Sequence, residues 1–174
     1  MFEMHSDGNQ EQWYAVRVKS NRERVTGQAM RGRGVEATIP EYQRRSFRRG
    51  REHMISQPLF PGYVFCRFSD RMRLPVMMIP GVLHVVSVAG RPAPIDPEEM
   101  TRVFTLAESE LNLSPHPYLS AGQTVRLEEG PLKGVDGIVL ADEGQPRLVV
   151  SVTLLQRSVA VNVNREWLST PVTA

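Results

Sequence analysis

The chain has 174 residues, a hydrophobic fraction of 41% and a formal net charge of +2 at pH 7. These values fit a globular protein of one ordinary or two small domains and exclude a largely disordered chain. Cys66 is the only cysteine, so an internal disulfide is excluded and a reducing compartment is expected. The sequence has no apolar run of the roughly 18 residues that a membrane span needs, and no apolar signal core follows Met1. We therefore expect a cytoplasmic protein without membrane contact.

Basic charge gathers in the first third of the chain. Residues 1–60 carry 11 Lys and Arg against 7 Asp and Glu, whereas the remainder carries 10 against 12. Lys19 and Lys133 are the only lysines, and the planar arginine side chain suits phosphate recognition. This end of the chain is therefore expected to meet a polyanion.

The first 112 residues alternate strand and helix patterns. Trp13 to Val18 is rich in aromatic and β-branched residues, which predicts a strand. Ser20 or Asn21 is then expected to cap a helix that ends near Arg31. The further predicted elements are a strand at 35–39, an arginine-rich hairpin or mobile loop at 41–57, a strand at 63–68, a short helix at 71–78, a strand at 82–88 and a helix from Pro97 to near Asn112. This alternation predicts an α+β fold.

The segment Ser114-Pro-His-Pro117 predicts a stiff extended linker. The sequence pattern changes after it. Short runs of β-favouring residues follow, separated by glycines. They lie at 124–127, 135–141, 147–153 and 158–163. Such spacing predicts a small β-barrel.

The sequence lacks the motifs of common catalytic and cofactor sites. It has no GxxxxGK[ST] phosphate loop and no GxGxxG after a strand. The four histidines are scattered and none stands in a zinc-binding spacing. We therefore expect no enzyme activity, no metal and no cofactor, which leaves binding surfaces as the source of function. Cys66 is interpreted as a buried hydrophobe within a strand.

Two groups of basic residues are candidates for nucleic-acid contact. The first lies at the junction between the first strand and the first helix, where a helix N-terminus favours phosphates. Its members are Lys19, Asn21, Arg22 and Arg24, and Arg31 and Arg33 could extend the track from the other end of the helix. The second group, Arg44, Arg45, Arg48, Arg49 and Arg51, is the densest. Such a run of arginines is more commonly a solvent-exposed hairpin tip, and contact with nucleic acid is the more specific alternative.

Five motifs occur in an order that resembles the NusG family of transcription elongation factors. They are Trp13-Tyr14-Ala-Val-Arg-Val-Lys19, Pro58-Leu-Phe-Pro-Gly-Tyr-Val-Phe65, Pro80-Gly-Val82, Arg91-Pro-Ala-Pro-Ile95 and Gly130-Pro-Leu-Lys-Gly-Val-Asp-Gly137 with Leu148-Val-Val-Ser-Val152. The resemblance covers about residues 12–168. It implies a NusG-type α/β sandwich followed by a small SH3-like barrel, the KOW domain. The implied division is a disordered tail at 1–11, an N-terminal domain at 12–111, a linker at 112–118 and the KOW domain at 119–170.

The resemblance also implies a partner for the N-terminal domain. In the family this domain docks on the clamp helices of the largest RNA polymerase subunit, above the DNA cleft, and suppresses pausing or termination. By position the contact falls on Phe60, Tyr63 and Phe65, with Arg17 at its fringe. Tyr63 and Phe65 share one face of a strand, and such aromatics dominate interface energetics. The alternative is that this face packs on the domain's own helices. The Lys19 junction would face upstream or non-template DNA.

The resemblance implies an adaptor role for the KOW domain of a monomeric protein. The family uses the loop here formed by Leu154, Leu155, Gln156 and Arg157 for a small-subunit ribosomal protein or for Rho. Many members have Phe-Gly where this chain has Leu155-Gln156, which favours a specialised paralogue of the RfaH/UpxY type. Gly62 and Gly137 are expected at structural turns or close backbone approaches.

A second class of function remains open at the level of the sequence. KOW barrels also occur in ribosomal proteins, and basic α+β domains bind RNA. The chain would then be a ribosome-associated RNA-binding protein with the arginines of 44–51 as its main footprint. Salt dependence separates the two, because arginine–phosphate contacts weaken steeply with salt whereas an apolar interface does not.

Overall fold

The computed structural model describes residues 9–140 and 144–168, and it confirms the α+β prediction. The α-helices are α1 (Glu23–Arg31), α2 (Arg73–Met77) and α3 (Pro97–Glu108). The strands are β1 (Gln12–Val18), β2 (Glu36–Thr38), β3 (Glu41–Arg48), β4 (Arg51–Pro58), β5 (Tyr63–Phe68), β6 (Val82–Val85), β7 (Ser87–Val88), β8 (Arg91–Pro92), β9 (Leu113–Pro117), β10 (Thr124–Arg126), β11 (Asp136–Leu140), β12 (Arg147–Val152) and β13 (Arg157–Asn162). Most of the predicted disordered tail, residues 1–11, lies outside the described residues. Among the residues described, no helix has both the length and the apolar character to cross a membrane.

The chain divides into two compact units. The described residues through 39 join residues 61–96 in the first unit, and residues 40–60 join those from 97 onward in the second. The hairpin at 41–58 and α3 thus group with the β-rich half of the chain, whereas the sequence assigned them to the N-terminal domain. The domain boundaries at 12–111 and 119–170 therefore stay predictions.

A four-stranded antiparallel sheet with strand order β2-β5-β1-β6 forms the first unit. Val16 pairs with Val64 on one side and with Val85 on the other, and all three are buried. The same core contains Met30 from α1 and Val76 from α2. One face of the sheet therefore packs on these two helices, as alternating apolar residues in β1 and β5 require.

Helix α1 begins differently from the prediction. Arg22 is the N-cap and makes no side-chain cap bond, whereas Ser20 or Asn21 was expected in that role. The Arg22 N–H donates to the Lys19 carbonyl oxygen at 3.0 Å, and this tight turn holds Asn21 at a φ of +60°. Asparagine tolerates the left-handed region better than most residues do, so Asn21 serves the turn rather than the cap.

The second unit contains a five-stranded antiparallel sheet with strand order β10-β11-β12-β13-β9. The predicted linker at 112–118 is wrong in one respect, because Leu113–Pro117 pair with Arg157–Val161 as the edge strand β9. An edge strand needs backbone donors on one side only, so it accepts prolines. Helix α3 also ends earlier than predicted, at Glu108, because Glu110 leaves the helix in the left-handed region at a φ of +56°.

The arginine-rich segment is a hairpin rather than a loop. Strand β3 pairs with β4 over eight residue pairs, from Glu41 with Pro58 to Arg48 with Arg51. The connection is the two-residue turn Arg49-Gly50, in which both residues have positive φ. This is the hairpin turn whose twist matches that of the flanking strands.

Cys66 is completely buried in β5. Its Sγ lies 3.1 Å from Sδ of Met30, and burial raises the pKa of the thiol to about 12. A thiol this far from ionisation is a poor nucleophile. The structure therefore confirms the interpretation of Cys66 as a buried hydrophobe.

Gly137 lies where β11 approaches β12 closely. A Cβ at this position would stand 2.7 Å from the carbonyl oxygen of Val149 and 2.8 Å from Cγ of Leu148. The first of these atoms is backbone, so it cannot move aside cheaply. Gly137 is thus a close approach and not a positive-φ turn.

We expect Gly137→Ala to lower the free energy of unfolding by about 1–3 kcal/mol, because the added methyl group overpacks the strand pair. Chemical denaturation of the full chain measures this change. Gly144→Ala is the matched control, since a Cβ at Gly144 meets nothing within 4 Å. Equal unfolding free energies for the two variants would contradict the close approach.

Candidate functional site

Three polar or aromatic side chains form one row across three strands of the first unit. Arg17 on β1 pairs with Tyr63 on β5 and with His84 on β6. Directly paired residues point to the same face of a sheet. The guanidinium carbon of Arg17 lies 4.9 Å from the centre of the Tyr63 ring, which is a cation–π contact. Arg17 and Tyr63 are half-buried and His84 is exposed, so this row, hereafter the Tyr63 row, presents surface.

The turn before Tyr63 is fixed from two other elements of the same unit. Glu23 of α1 accepts a hydrogen bond from the Gly62 N–H, with its Oε1 at 2.7 Å. Nη1 of Arg17 donates to the Pro61 carbonyl oxygen at 3.3 Å, and the Val18 N–H donates to the Gly62 carbonyl oxygen at 2.9 Å. The turn is therefore tied to α1 through one bond and to β1 through two.

Glycine is required in this turn for two reasons. Gly62 has a φ of +84°, which side-chain-bearing residues rarely adopt. A Cβ there would also collide with the Arg17 guanidinium. Gly62 thereby leaves room for the arginine that covers Tyr63.

The hydrogen bond of Glu23 is buried and charge-assisted. Glu23 is 7% exposed and lies in the first turn of α1, where the helix dipole favours a negative charge. A carboxylate that accepts a backbone N–H out of water makes a stronger bond than a neutral acceptor does. The start of α1 and the start of β5 are in this way held together.

The four predicted polymerase-binding residues are not equally accessible. Arg17 and Tyr63 are brought together at the surface. Phe65 follows Tyr63 on the same face but is fully buried, and Phe60, in the second unit, is 2% exposed. A direct partner contact by Phe60 or Phe65 remains a prediction. Sequence analysis missed His84, because only the β1–β6 register places it beside Arg17.

The basic junction lies at the same end of β1 as the Tyr63 row. Lys19, Asn21, Arg22 and Arg24 are all exposed there. The Lys19 N–H donates to the Gly81 carbonyl oxygen at 2.9 Å, which fixes the chain as it leaves the strand. The structure therefore places these four candidates together, two residues beyond Arg17.

Arg31 and Arg33 do not belong to this junction. They lie at or beyond the other end of α1, a helix roughly 13 Å long. Both are exposed, but Nη1 of Arg31 donates to the Ala37 carbonyl oxygen at 2.9 Å. Arg31 thus has a structural role within the first unit, and its predicted nucleic-acid contact stays a prediction.

The predicted partner loop of the second unit is a short 3₁₀ turn at Thr153–Leu155 followed by Gln156. Leu155 is buried, Leu154 is half-buried, and Gln156 and Arg157 are exposed. Gln156 has a φ of +51°, the conformation that a glycine adopts most easily. The carboxylate of Glu99 on α3 accepts from the Thr153 N–H at 3.2 Å and from its hydroxyl at 2.6 Å. The loop is therefore ordered by α3.

In residues 9–140 and 144–168, His, Cys, Asp and Glu side chains form no group of three or more that could hold a metal ion.

Comparison with known proteins identifies the family. The model of the family described as "Transcription termination factor nusG" matches residues 11–104, more than half of the chain. The chain belongs to the NusG family. This family of transcription termination and antitermination factors is the one that the five sequence motifs indicated.

Relatives and a solved structure match nearly the whole chain. The transcription termination/antitermination protein NusG of Vibrio parahaemolyticus is 27% identical over 172 residues, which cover 91% of this chain and 94% of that protein. NusG of Escherichia coli K12 is 25% identical over 174 residues, covering 91% and 96%. A solved structure of Thermotoga maritima NusG, concerned with a domain interaction in that protein, is similar in fold to this chain. Its TM-score is 0.58 at 21% sequence identity, and the match covers 92% of this chain and 97% of that one.

We expect Glu23→Ala to lower the free energy of unfolding by about 1.5–3 kcal/mol, because it removes a buried charge-assisted hydrogen bond and leaves the Gly62 N–H unsatisfied. Glu36→Ala is the matched control. Glu36 is an exposed carboxylate 3.6 Å from Arg67, and such a pair contributes at most about 1 kcal/mol. Chemical denaturation of both variants makes the comparison. An equal or larger loss for Glu36→Ala would contradict the assigned role of Glu23.

Proposed function

We propose that this chain is a transcription elongation and antitermination factor that binds RNA polymerase through the Tyr63 row. One observation carries the proposal: Arg17 covers the half-exposed Tyr63 ring, and hydrogen bonds tie the turn before Tyr63 to α1 and β1. Tyrosine and arginine are the residue types that most often dominate protein interfaces. Their geometry here is fixed before binding, so little side-chain entropy is lost on association.

The proposed partner surface is a pair of polymerase helices. Family membership supports this choice, since the resemblance implies docking on the clamp helices of the largest subunit. An aromatic ring with a guanidinium above it offers both apolar area and a cation to a helix surface. A factor bound at the clamp would bridge the cleft and so suppress pausing or termination.

The position of the basic junction supports a second contact. Lys19, Arg22 and Arg24 lie at the end of β1 that carries Arg17, and all are exposed. A domain docked through the Tyr63 row would therefore turn this junction toward nucleic acid near the polymerase. We assign it to upstream or non-template DNA, which contacts side chains chiefly through phosphates.

The second unit is proposed to be the adaptor. Gln156 and Arg157 are its exposed candidates for a partner, which would be a small-subunit ribosomal protein or Rho. Leu155 is buried and offers no aromatic anchor, which favours a specialised paralogue over the general factor. The protein would act as a monomer in the cytoplasm, without catalytic activity.

A ribosome-associated RNA-binding protein is the second candidate, and the exposed arginines of the β3–β4 hairpin are the observation in its favour. Its affinity for RNA would fall steeply as salt is raised. Polymerase binding through the Tyr63 row would persist at moderate salt.

We expect Tyr63→Ala to weaken binding of the full chain to core RNA polymerase by about ten- to thirtyfold at moderate salt, as truncation of a central interface tyrosine does. Titration of labelled protein with polymerase measures the affinity, and circular dichroism checks the fold. Phe47→Ala is the matched control, because Phe47 is an aromatic residue 76% exposed on the hairpin. The affinity of this variant should stay within about twofold of the wild-type affinity. That change is much smaller than the roughly tenfold change to which 1.4 kcal/mol corresponds.

Equal loss in both variants would contradict the Tyr63 row as the contact. Failure of the wild type to bind polymerase would overturn the proposed function and favour the ribosomal alternative.

A further inference from the structure

Helix α3 places a carboxylate on the first residue of the partner loop. The Thr153 N–H donates to both carboxylate oxygens of Glu99, each at 3.2 Å, and the Thr153 hydroxyl donates to Oε1 at 2.6 Å. One backbone donor and one side-chain donor thus converge on a single carboxylate. Hydrogen bonds to an ionised carboxylate are shorter and stronger than those between neutral groups. Thr153 therefore has the donors of a carboxylate-binding site, with Glu99 as the group that occupies it in this structure.

The loop that carries Thr153 is closed by its own hydrogen bonds. The Gln156 N–H donates to the Thr153 carbonyl oxygen at 3.1 Å, and Nε2 of Gln156 donates to the same oxygen at 2.8 Å. These two bonds draw the ends of the loop together. Arg157 then begins β13 opposite Val152, so it lies next to Thr153. Donors held in place in this way lose little conformational entropy when a ligand binds.

Thr153 and Glu99 belong to the wall of a groove of about 250 Å³ within the second unit. The same groove is lined by the half-buried side chains of Tyr118, Leu119 and Ile138. A space of this volume accepts single side chains but not an α-helix, whose diameter is roughly 10 Å. Extended peptides bind in this manner, with their specificity set by pockets for individual side chains. The groove therefore fits an extended segment better than a helix.

Two serines fix one wall of this groove. The Leu119 N–H donates to Oγ of Ser158 at 3.1 Å, and the Ser151 hydroxyl donates to the Leu119 carbonyl oxygen at 2.8 Å. The two serine hydroxyls lie 2.7 Å apart. Because Ser151 uses its proton on Leu119, the hydroxyl of the buried Ser158 donates between them. All four polar groups are satisfied, so the wall is formed before a ligand arrives.

The charges around Thr153 favour an acidic ligand. Arg102 lines the groove and Arg157 is exposed beside the loop. In the described part of the chain, the ion pairs found involve neither of these two arginines. Asp136 also lines the groove, but Arg126 holds its carboxylate through two bonds of 2.7 and 2.8 Å. When Glu99 is withdrawn, the arginines named here outnumber the one remaining carboxylate.

We propose that Thr153 is the recognition site for an acidic side chain of a protein partner, which enters the groove as an extended segment and takes the place of Glu99. Aspartate and glutamate are the side chains that these donors fit, as the contact with Glu99 illustrates. Thr153 is exposed, so water can replace either group and the contact is exchangeable. A segment without a carboxylate would leave Glu99 in place and reach only the rim of the loop.

This inference rests on the adaptor role proposed for the second unit and names the chemistry of its partner. Binding of a carboxylate at Thr153 can nevertheless be measured without polymerase and without the partner itself. Absence of carboxylate binding would overturn the site and leave the polymerase contact standing. Carboxylate binding in a chain that recruits no protein would keep the site and contradict the adaptor role.

The test is titration of the full chain with short peptides, followed through the proton–nitrogen NMR signal of the Thr153 amide. The probes are the peptide acetyl-Gly-Ser-Glu-Ser-Gly-amide and the same peptide with glutamine, which differ by one carboxylate. Inorganic phosphate is the third probe. The variant is Glu99→Gln, which withdraws the resident carboxylate. Glu98→Gln is the matched control, because it removes an equal charge from the adjacent position of α3.

We expect the glutamate peptide to bind Glu99→Gln roughly fivefold more tightly than the wild type, because apparent affinity falls with the fraction of molecules in which a site is free. Glu98→Gln should stay within about twofold of the wild type, since an exposed charge has a small effect. An equal gain in both variants would reduce the effect to general charge and overturn the site. No shift of the Thr153 signal in Glu99→Gln would overturn it as well.

The remaining outcomes test the chemistry of the ligand. In the Glu99→Gln chain, a further Thr153→Val substitution should weaken peptide binding at least threefold (an order-of-magnitude expectation), because the hydroxyl donor is lost. An otherwise unchanged amide spectrum shows that this chain is folded. Unchanged affinity after Thr153→Val, or an equal shift with the glutamine peptide, would overturn carboxylate recognition. An equal response to inorganic phosphate would overturn the assignment to an acidic protein segment.

Discussion

The hydrogen bond from the Gly62 N–H to the buried Glu23 carboxylate fixes where β5 enters the sheet, and the candidate site depends on that point. With the turn held to α1, Tyr63 becomes the first residue of β5 and pairs with Arg17. A shift of one residue would turn Tyr63 to the opposite face of the sheet, because side chains alternate along a strand. Burial of the carboxylate makes this bond costly to break.

Arginine has different roles in different parts of this molecule. Arg17 is tied to the Pro61 carbonyl oxygen and to the Tyr63 ring, and Arg31 to the Ala37 carbonyl oxygen. These two side chains shape the protein itself. Arg48 and Arg51 instead face each other at the end of an exposed hairpin. The amino-acid composition does not distinguish these arginines from one another. Contact with a polyanion is most favourable for arginines that have no acidic side chain nearby.

Local sequence signals predicted most of the elements that position the site. The Pro-Gly turn and the aromatic, β-branched run after it gave Tyr63–Phe68 as a strand, and the structure has the same bounds. The same alternation correctly placed Tyr63 and Phe65 on one face, but it could not show that Phe65 is buried. Burial depends on what covers a face, which is a property of the tertiary structure.

Long-range pairing was the information that the sequence did not contain. Leu113–Pro117 looked like a linker because it contains two prolines, yet it pairs with β13 as an edge strand. His84 joined the candidate site only through its register with Arg17. The arginine-rich segment at 41–57 was predicted as a hairpin or a mobile loop, and only the strand pairing of the structure decides for the hairpin and divides it into two faces.

The most direct measurement is photo-cross-linking from position 63. The full chain, with a photoreactive phenylalanine analogue in place of Tyr63, is irradiated in complex with core RNA polymerase, and the same analogue at Phe47 serves as the control position. The account predicts a cross-link from position 63 to the helices of the largest subunit and none to them from position 47. Cross-links to those helices from position 47 alone would contradict it.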